Sequence, residues 1–294
     1  GQILRDAGNY EEALKRLERA LAIASDALGA NHPRLVWFLN SLGGLHDRLG
    51  NYTEAKRLYE RGLAIAREGS PVPDHRLARC LNNLGHLLAN MGDYEGATAR
   101  YEEALRITEQ VQGRRHPDVA LTLASLAGVA RLAGKRDEAE GLLHTALDIS
   151  QEVFGTEHTA GADILLDLAG LAREKGDYSE ALKLNQKALD IWARTAGRAH
   201  FDYALGIQGL AGTFEAEGRL DEAAAHYRDA LAILEKTYGK EHPACAAGQH
   251  DLARTLASER GDDASAEMLF WAEATLGAIE SHRRDVAQSA DAAR

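Results

Sequence analysis

LNNLGHLLANMGDYEGATARYEEALRI, residues 81–107, holds two apolar helical patterns separated by a glycine. Leu81, Leu84, Leu87 and Leu88 fall three or four residues apart, a spacing that sets them on one face of an α-helix. Met91-Gly92 then predicts a stop, because a glycine just after a helix takes the left-handed conformation without a steric penalty. Asp93 predicts a new helix start, and Tyr94, Ala97, Tyr101, Ala104 and Leu105 mark one face of a second helix. The stretch reads as a helical hairpin.

Outward from it the pattern returns at a fixed step. Leu42, Leu84, Leu126, Leu168, Leu210 and Leu252 are each 42 residues apart, and Gly8, Gly50, Gly92, Gly134, Gly176 and Gly218 keep the same interval. Ala13, Ala55, Ala97, Ala139, Ala181 and Ala223 hold a small position in the second helix, and Leu21, Leu63, Leu105, Leu147, Leu189 and Leu231 its apolar end. Between hairpins runs a third marker: Gly29 to Pro33, Gly113 to Pro117, Gly155 to His158, Gly197 to His200 and Gly239 to Pro243, blurred only at Gly69 to His75. A period in the range of about 20–50 residues signals a solenoid of stacked units, each packed on its neighbours. One continuous array is therefore expected: a partial repeat over 1–28, then 29–68, 69–112, 113–154, 155–196, 197–238 and 239–281, with a capping helix or tail over 282–294.

Helix starts are signed chemically. Asn9-x-x-Glu12, Asn51-x-x-Glu54 and Asp177-x-x-Glu180 have the capping-box form. Pro33, Pro117 and Pro243 suit a first helical position, where a missing N–H costs nothing. The last hairpin is degenerate: an extra residue sits near Arg260-Gly261, Phe270 takes the aromatic slot and Trp271 adds bulk. Gln2 to Gly8 reads as the final turns of a helix, so the sequence is expected to be part of a longer protein.

Composition excludes several classes of function. A formal net charge of −11 opposes nucleic-acid and anionic-membrane surfaces, which need a basic field. No apolar run approaches the ~18 residues of a membrane span, and no signal peptide is read. Cys80 and Cys245 lie nearly four repeats apart, too far for a disulfide at roughly 8–10 Å per helix layer, so both are expected as buried thiols in a reducing cytoplasm. Searches for H-E-x-x-H, paired C-x-x-C, G-x-S-x-G and a phosphate-binding glycine loop find none, so no catalytic residue and no cofactor are expected. His32, His116, His158, His200 and His242 recur once per hairpin, whereas a metal needs several ligands at one point. They read as residues that close turns at helix starts.

LGGLHDRLGNYTEAKRLYERGLAI, residues 42–65, and LGHLLANMGDYEGATARYEEALRI, residues 84–107, resemble tetratricopeptide repeats: Leu-Gly in the first helix, Gly-Asp-Tyr at the hinge, then Glu-Ala, an aromatic and Ala-Leu. The longer period and the Gly-x-x-His-Pro linker resemble the repeats of kinesin light chains and of bacterial multidomain signalling proteins. The pattern departs at Gly69–His75, at Lys135-Arg136 and at Arg219-Leu220. The resemblance implies an all-α, right-handed solenoid of helix-turn-helix hairpins whose first helices line a concave groove. It implies a scaffold or sensor that binds a protein or peptide, with a kinesin-light-chain-type cargo adaptor and the regulatory region of a caspase-like protease or NB-ARC-type ATPase as the other readings. Self-association is compatible with it.

On that resemblance the groove is drawn from the non-packing face of the first helices. The first full repeat contributes Trp37, Asn40, Gly44, Asp47 and Arg48, and the next Arg79, Asn82, His86 and Asn90. Leu121, Arg131 and Leu132 follow, then Asp163, Leu166, Arg173 and Glu174. Leu205, Gln208 and Glu215 precede His250, Arg254 and Ser258. Asn40 and Asn82 are expected to pair with an extended backbone, Leu121, Leu132, Leu166 and Leu205 to give an apolar centre, and Arg131 and Arg173 to meet an acidic group. Trp37 is the leading hot-spot candidate, with inter-repeat packing as its other reading.

Overall fold

The computed structural model describes residues 10–69, 74–239 and 243–260. Among them the chain forms twelve α-helices and no strand: α1 (Tyr10–Leu28), α2 (Leu35–Arg48), α3 (Tyr52–Glu68), α4 (His75–Asn90), α5 (Tyr94–Gln112), α6 (Pro117–Leu132), α7 (Arg136–Phe154), α8 (Thr159–Glu174), α9 (Tyr178–Thr195), α10 (Phe201–Ala216), α11 (Leu220–Tyr238) and α12 (Pro243–Arg260). Of the described residues, those up to Ile149 gather into one compact unit and those from Ser150 into a second, the division falling within α7. In the first unit α2 packs on α3 and α4 on α5; in the second α8 packs on α9 and α10 on α11. The first helices of successive pairs also touch, α2 with α4 and α4 with α6 in one unit, α8 with α10 in the other. These contacts set first helices side by side within each unit.

The hinge chemistry explains why each pair forms. Gly92 has φ of +82°, its N–H donates to Ala89 O at 3.0 Å, and the N–H of Asp93 donates to Leu88 O at 2.9 Å. This is the Schellman closure, which satisfies carbonyls that the helix end leaves unpaired. The same two bonds recur at Gly50, Gly134, Gly176 and Gly218. Asp93 and Asp177 then cap α5 and α9, accepting from Gly96 N at 2.9 Å and Glu180 N at 3.0 Å.

Packing follows the repeat. Ala55, Ala97, Ala139, Ala181 and Ala223 are fully buried, and Leu42, Leu84, Leu126, Leu168 and Leu210 lie in the core. Each such leucine contributes roughly 1.5–3 kcal/mol by leaving water. Large and small residues compensate across helices: a Cβ on Gly43 would stand 2.6 Å from the Tyr59 ring, and one on Gly206 2.7 Å from Trp192. Cys80 and Cys245 are buried and unbridged, and burial pushes both thiols up.

Two cap expectations are corrected. Asn51 precedes α3 but makes no side-chain cap; its Nδ2 lies 3.5 Å from His46 Nδ1 instead. The glutamates of two boxes turn to cations on their own helices, Glu54 to Arg57 and Glu180 to Lys183. Pro117 and Pro243 do begin helices, whereas Pro33 lies upstream of α2, in a turn closed by the Leu35 N–H on His32 O at 2.9 Å. The histidines close turns as expected: Nδ1 of His32, His116, His158 and His200 accepts the N–H two residues on, at 3.2, 3.2, 3.1 and 3.3 Å. Gly8, Asn9, His242, Phe270, Trp271 and 282–294 lie outside the described residues.

Candidate functional site

In the first unit α2, α4 and α6 present equivalent positions 42 residues apart. At one of them stand Trp37, Arg79 and Leu121, all exposed, the tryptophan at 53% and the leucine at 65%. Trp37 meets Phe38 edge-on, with ring centroids 4.9 Å apart. Arg79 makes no ion pair among the described residues. Arg48, Arg131 and Leu132 are exposed on the same helices. Trp37 is thus a surface residue, half exposed beside Phe38.

The polar residues of that face behave differently from a row of waiting amides. Asn40 is a correction: only 8% exposed, it donates Nδ2 to Cys80 Sγ at 3.4 Å, inside the packing of α2 on α4. Asn82 is half-buried and donates to Thr122 Oγ1 at 3.1 Å. His86 Nδ1 lies 3.1 Å from Asp47 Oδ2, and Asn90 donates to Asp47 Oδ1 at 3.2 Å. Asp47 is itself buried, and burial followed by its charge raises the Tyr59 hydroxyl well above the ordinary range. These rungs join residues 39, 40 or 43 positions apart and tie successive first helices together. Gly44, one turn before Asp47, lies under the Tyr59 hydroxyl.

The second unit repeats the geometry with other chemistry. Arg254 donates to both oxygens of Glu215, Nε at 3.1 Å and Nη2 at 2.8 Å, and the Tyr227 hydroxyl lies 3.2 Å from the same carboxylate. Glu215 is thereby committed to its own chain. Arg173 is half-buried with its Nη1 laid against Gly212, where any Cβ would collide with it. Leu166 is half-buried on Gly209, Leu205 is half-buried, and Gln208 Nε2 lies near Gly248. His250 sits 3.7 Å from Asp251, and Ser258 Oγ donates to Arg254 O. Asp163 is exposed, yet the packed wall around it, then the like charges of Asp202 and Asp167, push its carboxyl up to about 6. Glu174 ends α8 in an exposed position.

The rungs were not read from the sequence, although a signal exists. Asn40 with Cys80, and Asn82 with Thr122, each stand one repeat less two residues apart. A polar residue at i with another at i+40 is the pattern to seek. Away from the first helices an open depression of about 610 Å³ is lined by Thr156, Glu157, Lys183, Lys187 and Arg194. Arg194 bridges to Glu157 across it at 2.7 Å. No group of histidine, cysteine or acidic residues among the described residues could hold a metal ion. No described helix is long and apolar enough to cross a membrane.

Paired antiparallel helices, glycine-closed hinges and touching first helices define an all-α helical-hairpin repeat protein. The tetratricopeptide repeat profile matches residues 1–68, 76–143, 118–194 and 203–270, and the chain belongs to the tetratricopeptide repeat family. No curated protein matches it. Among solved structures it is similar to BtubC (BKLC) from P. vanneervenii, at 23% identity and a TM-score of 0.61, over 80% of this chain and 92% of that one. A kinesin light chain of Podosopora anserina with nearly identical TPR-like repeats gives 23% identity and a TM-score of 0.57, over 70% and 98%. A Rap protein complexed with Competence and Sporulation Factor gives 13% identity and a TM-score of 0.70, over 94% and 72%.

Proposed function

We propose that this chain is a protein-interaction module that holds an extended, acidic and apolar segment of a protein or peptide against α2, α4 and α6. The observation that carries the reading is the stripe Trp37, Arg79, Leu121: two large apolar side chains more than half exposed, with an exposed arginine between them that forms no ion pair among the described residues. Exposed tryptophan and arginine are the side chains that most often dominate interface energetics. Charge supports the acidic partner. In a chain of net charge −11, these three helices carry Arg48, Arg79 and Arg131, besides Arg76, which is bound to the capping Asp74, against Asp47 and Asp118, and Asp47 is already held by His86 and Asn90. The Rap protein solved with Competence and Sporulation Factor is in keeping with a protein or peptide partner, without bearing on its charge.

A fluorescein-labelled (Glu-Leu-Gly)3 peptide, titrated against the chain and read by anisotropy, tests this. Trp37→Ala should weaken binding by about 2 kcal/mol, roughly thirtyfold. Equal affinity for the variant and the parent chain would remove the stripe from the site.

A further inference from the structure

Two of the rungs between first helices occupy the same place in the repeat. Asp47 on α2 meets His86 on α4, and Glu215 on α10 meets Arg254 on α12, each pair 39 positions apart. Asp47 and Glu215 stand 168 residues apart, four steps of the period, and so do His86 and Arg254. The two units therefore build one brace with different cations. An arginine stays charged throughout the working range of pH, whereas His86 is a cation only when protonated.

The carboxylate in the first unit has no other counter-ion. The Asp47 side chain is 7% exposed, and among the described residues no lysine or arginine pairs with it. Its oxygens meet His86 Nδ1 at 3.1 Å and Asn90 Nδ2 at 3.2 Å. From α3 and α5 its charge is felt by the Tyr59 and Tyr101 hydroxyls, Arg48 on α2 acts on Tyr59, and from α6 the Ser125 hydroxyl bonds Tyr101. A carboxylate in such a setting is costly until a cation is placed beside it. Neutral His86 serves it in one tautomer alone. With the proton on Nδ1 the ring donates to Asp47; with the proton on Nε2, Nδ1 turns a lone pair to the carboxylate and accepts instead from Asn90 Nδ2, 3.3 Å away. Protonation removes the second arrangement and makes the bond an ion pair. The imidazole is 64% exposed, so solvent protons reach it.

We propose that the Asp47–His86 rung is a pH-sensitive brace that tightens α2 against α4 on acidification, while the Glu215–Arg254 rung holds α10 to α12 without regard to histidine chemistry. Imidazoles change charge between about pH 5 and 8. A proton on His86 gains a partner in the folded chain that it lacks in the unfolded one, so the added stability is present on the acid side and is lost as pH rises. Titration of the carboxylate itself sets the acid limit. The brace uses none of Trp37, Arg79 and Leu121 and stands apart from the proposed ligand stripe.

Hydrogen exchange of the full chain, read by mass spectrometry on peptides from α2, α4, α10 and α12, tests this at pH 6 and pH 8, each variant against the parent chain at the same pH. His86→Gln should lower protection of α2 and α4 about threefold at pH 6, the size of a partly exposed ion pair, and by less at pH 8. His86→Arg should keep the parent's protection at pH 6 and exceed it at pH 8. In an Asp47→Asn background the effect of His86→Gln should no longer depend on pH. Arg254→His should move the behaviour to the second unit, lowering protection of α10 and α12 more at pH 8 than at pH 6. Circular dichroism checks that each variant keeps its helices. Equal effects of His86→Gln at the two pH values, or none at either, would overturn the brace, and so would pH-independent behaviour of Arg254→His.

Discussion

Asp163 shows what a single residue of the α8 face costs and offers. Its carboxyl, ordinarily near 3.8, stands at about 6 because of partial burial and then the charges of Asp202 and Asp167. The folded chain therefore keeps a proton that the unfolded chain has released between those two values, and stability falls as pH rises through that window. Asp163→Asn should raise stability at pH 7.5 by on the order of 1 kcal/mol, discounted for its exposure to solvent. Urea denaturation of both chains should show this difference at pH 7.5 and its disappearance below pH 4; a loss of stability at pH 7.5 would contradict the account. At this scale the sequence was an uneven guide. Leu121 was legible as exposed because a hydrophobic position outside the core face of a strongly periodic helix has nowhere inside to go, whereas Trp37 read equally as an inter-repeat packing residue and is 53% exposed. Asn40 was not, since its burial depends on Cys80 of the next pair, a neighbour that no local window contains.

Elements were legible where the determinants are local. The stop at Gly92, the start at Asp93 and the alanine ladder each need only residues within one hinge or one pair, and each repeats along the chain. Asn51 fails as a cap for a nearby reason, the approach of His46, that composition does not reveal. The lateral joining of first helices was not legible, because Asp47 with His86 and Glu215 with Arg254 depend on how far one pair is set from the next. The seat of α9 against α10 gives a sharp prediction at this scale. Trp192 is 1% exposed and occupies the space that a side chain at Gly206 would need, with Leu189 Cδ2 only 2.8 Å from the missing Cβ. Gly206→Ala should therefore overpack the contact and lower stability by about 1–3 kcal/mol. A denaturation midpoint equal to that of the parent chain would show that Trp192 has room to move.

Across the whole molecule the repeats share one backbone solution and differ in what they carry on the first helices. Charge separates between the two units: arginines predominate on α2, α4 and α6, and carboxylates on α8 and α10. The period revealed the architecture, because stacked pairs need the same small, apolar and hinge residues at every step. Ligand chemistry was only partly legible, since the positions that escape the period are the ones under no packing constraint. On the proposed function, the stripe on α2, α4 and α6 grips another chain through complementary charge and apolar contact. Reversing one charge tests it most directly. With Arg79→Glu, anisotropy of labelled (Glu-Leu-Gly)3 should show saturable binding to the parent chain and none to the variant, at unchanged helical content. The same binding curve for both chains would contradict it.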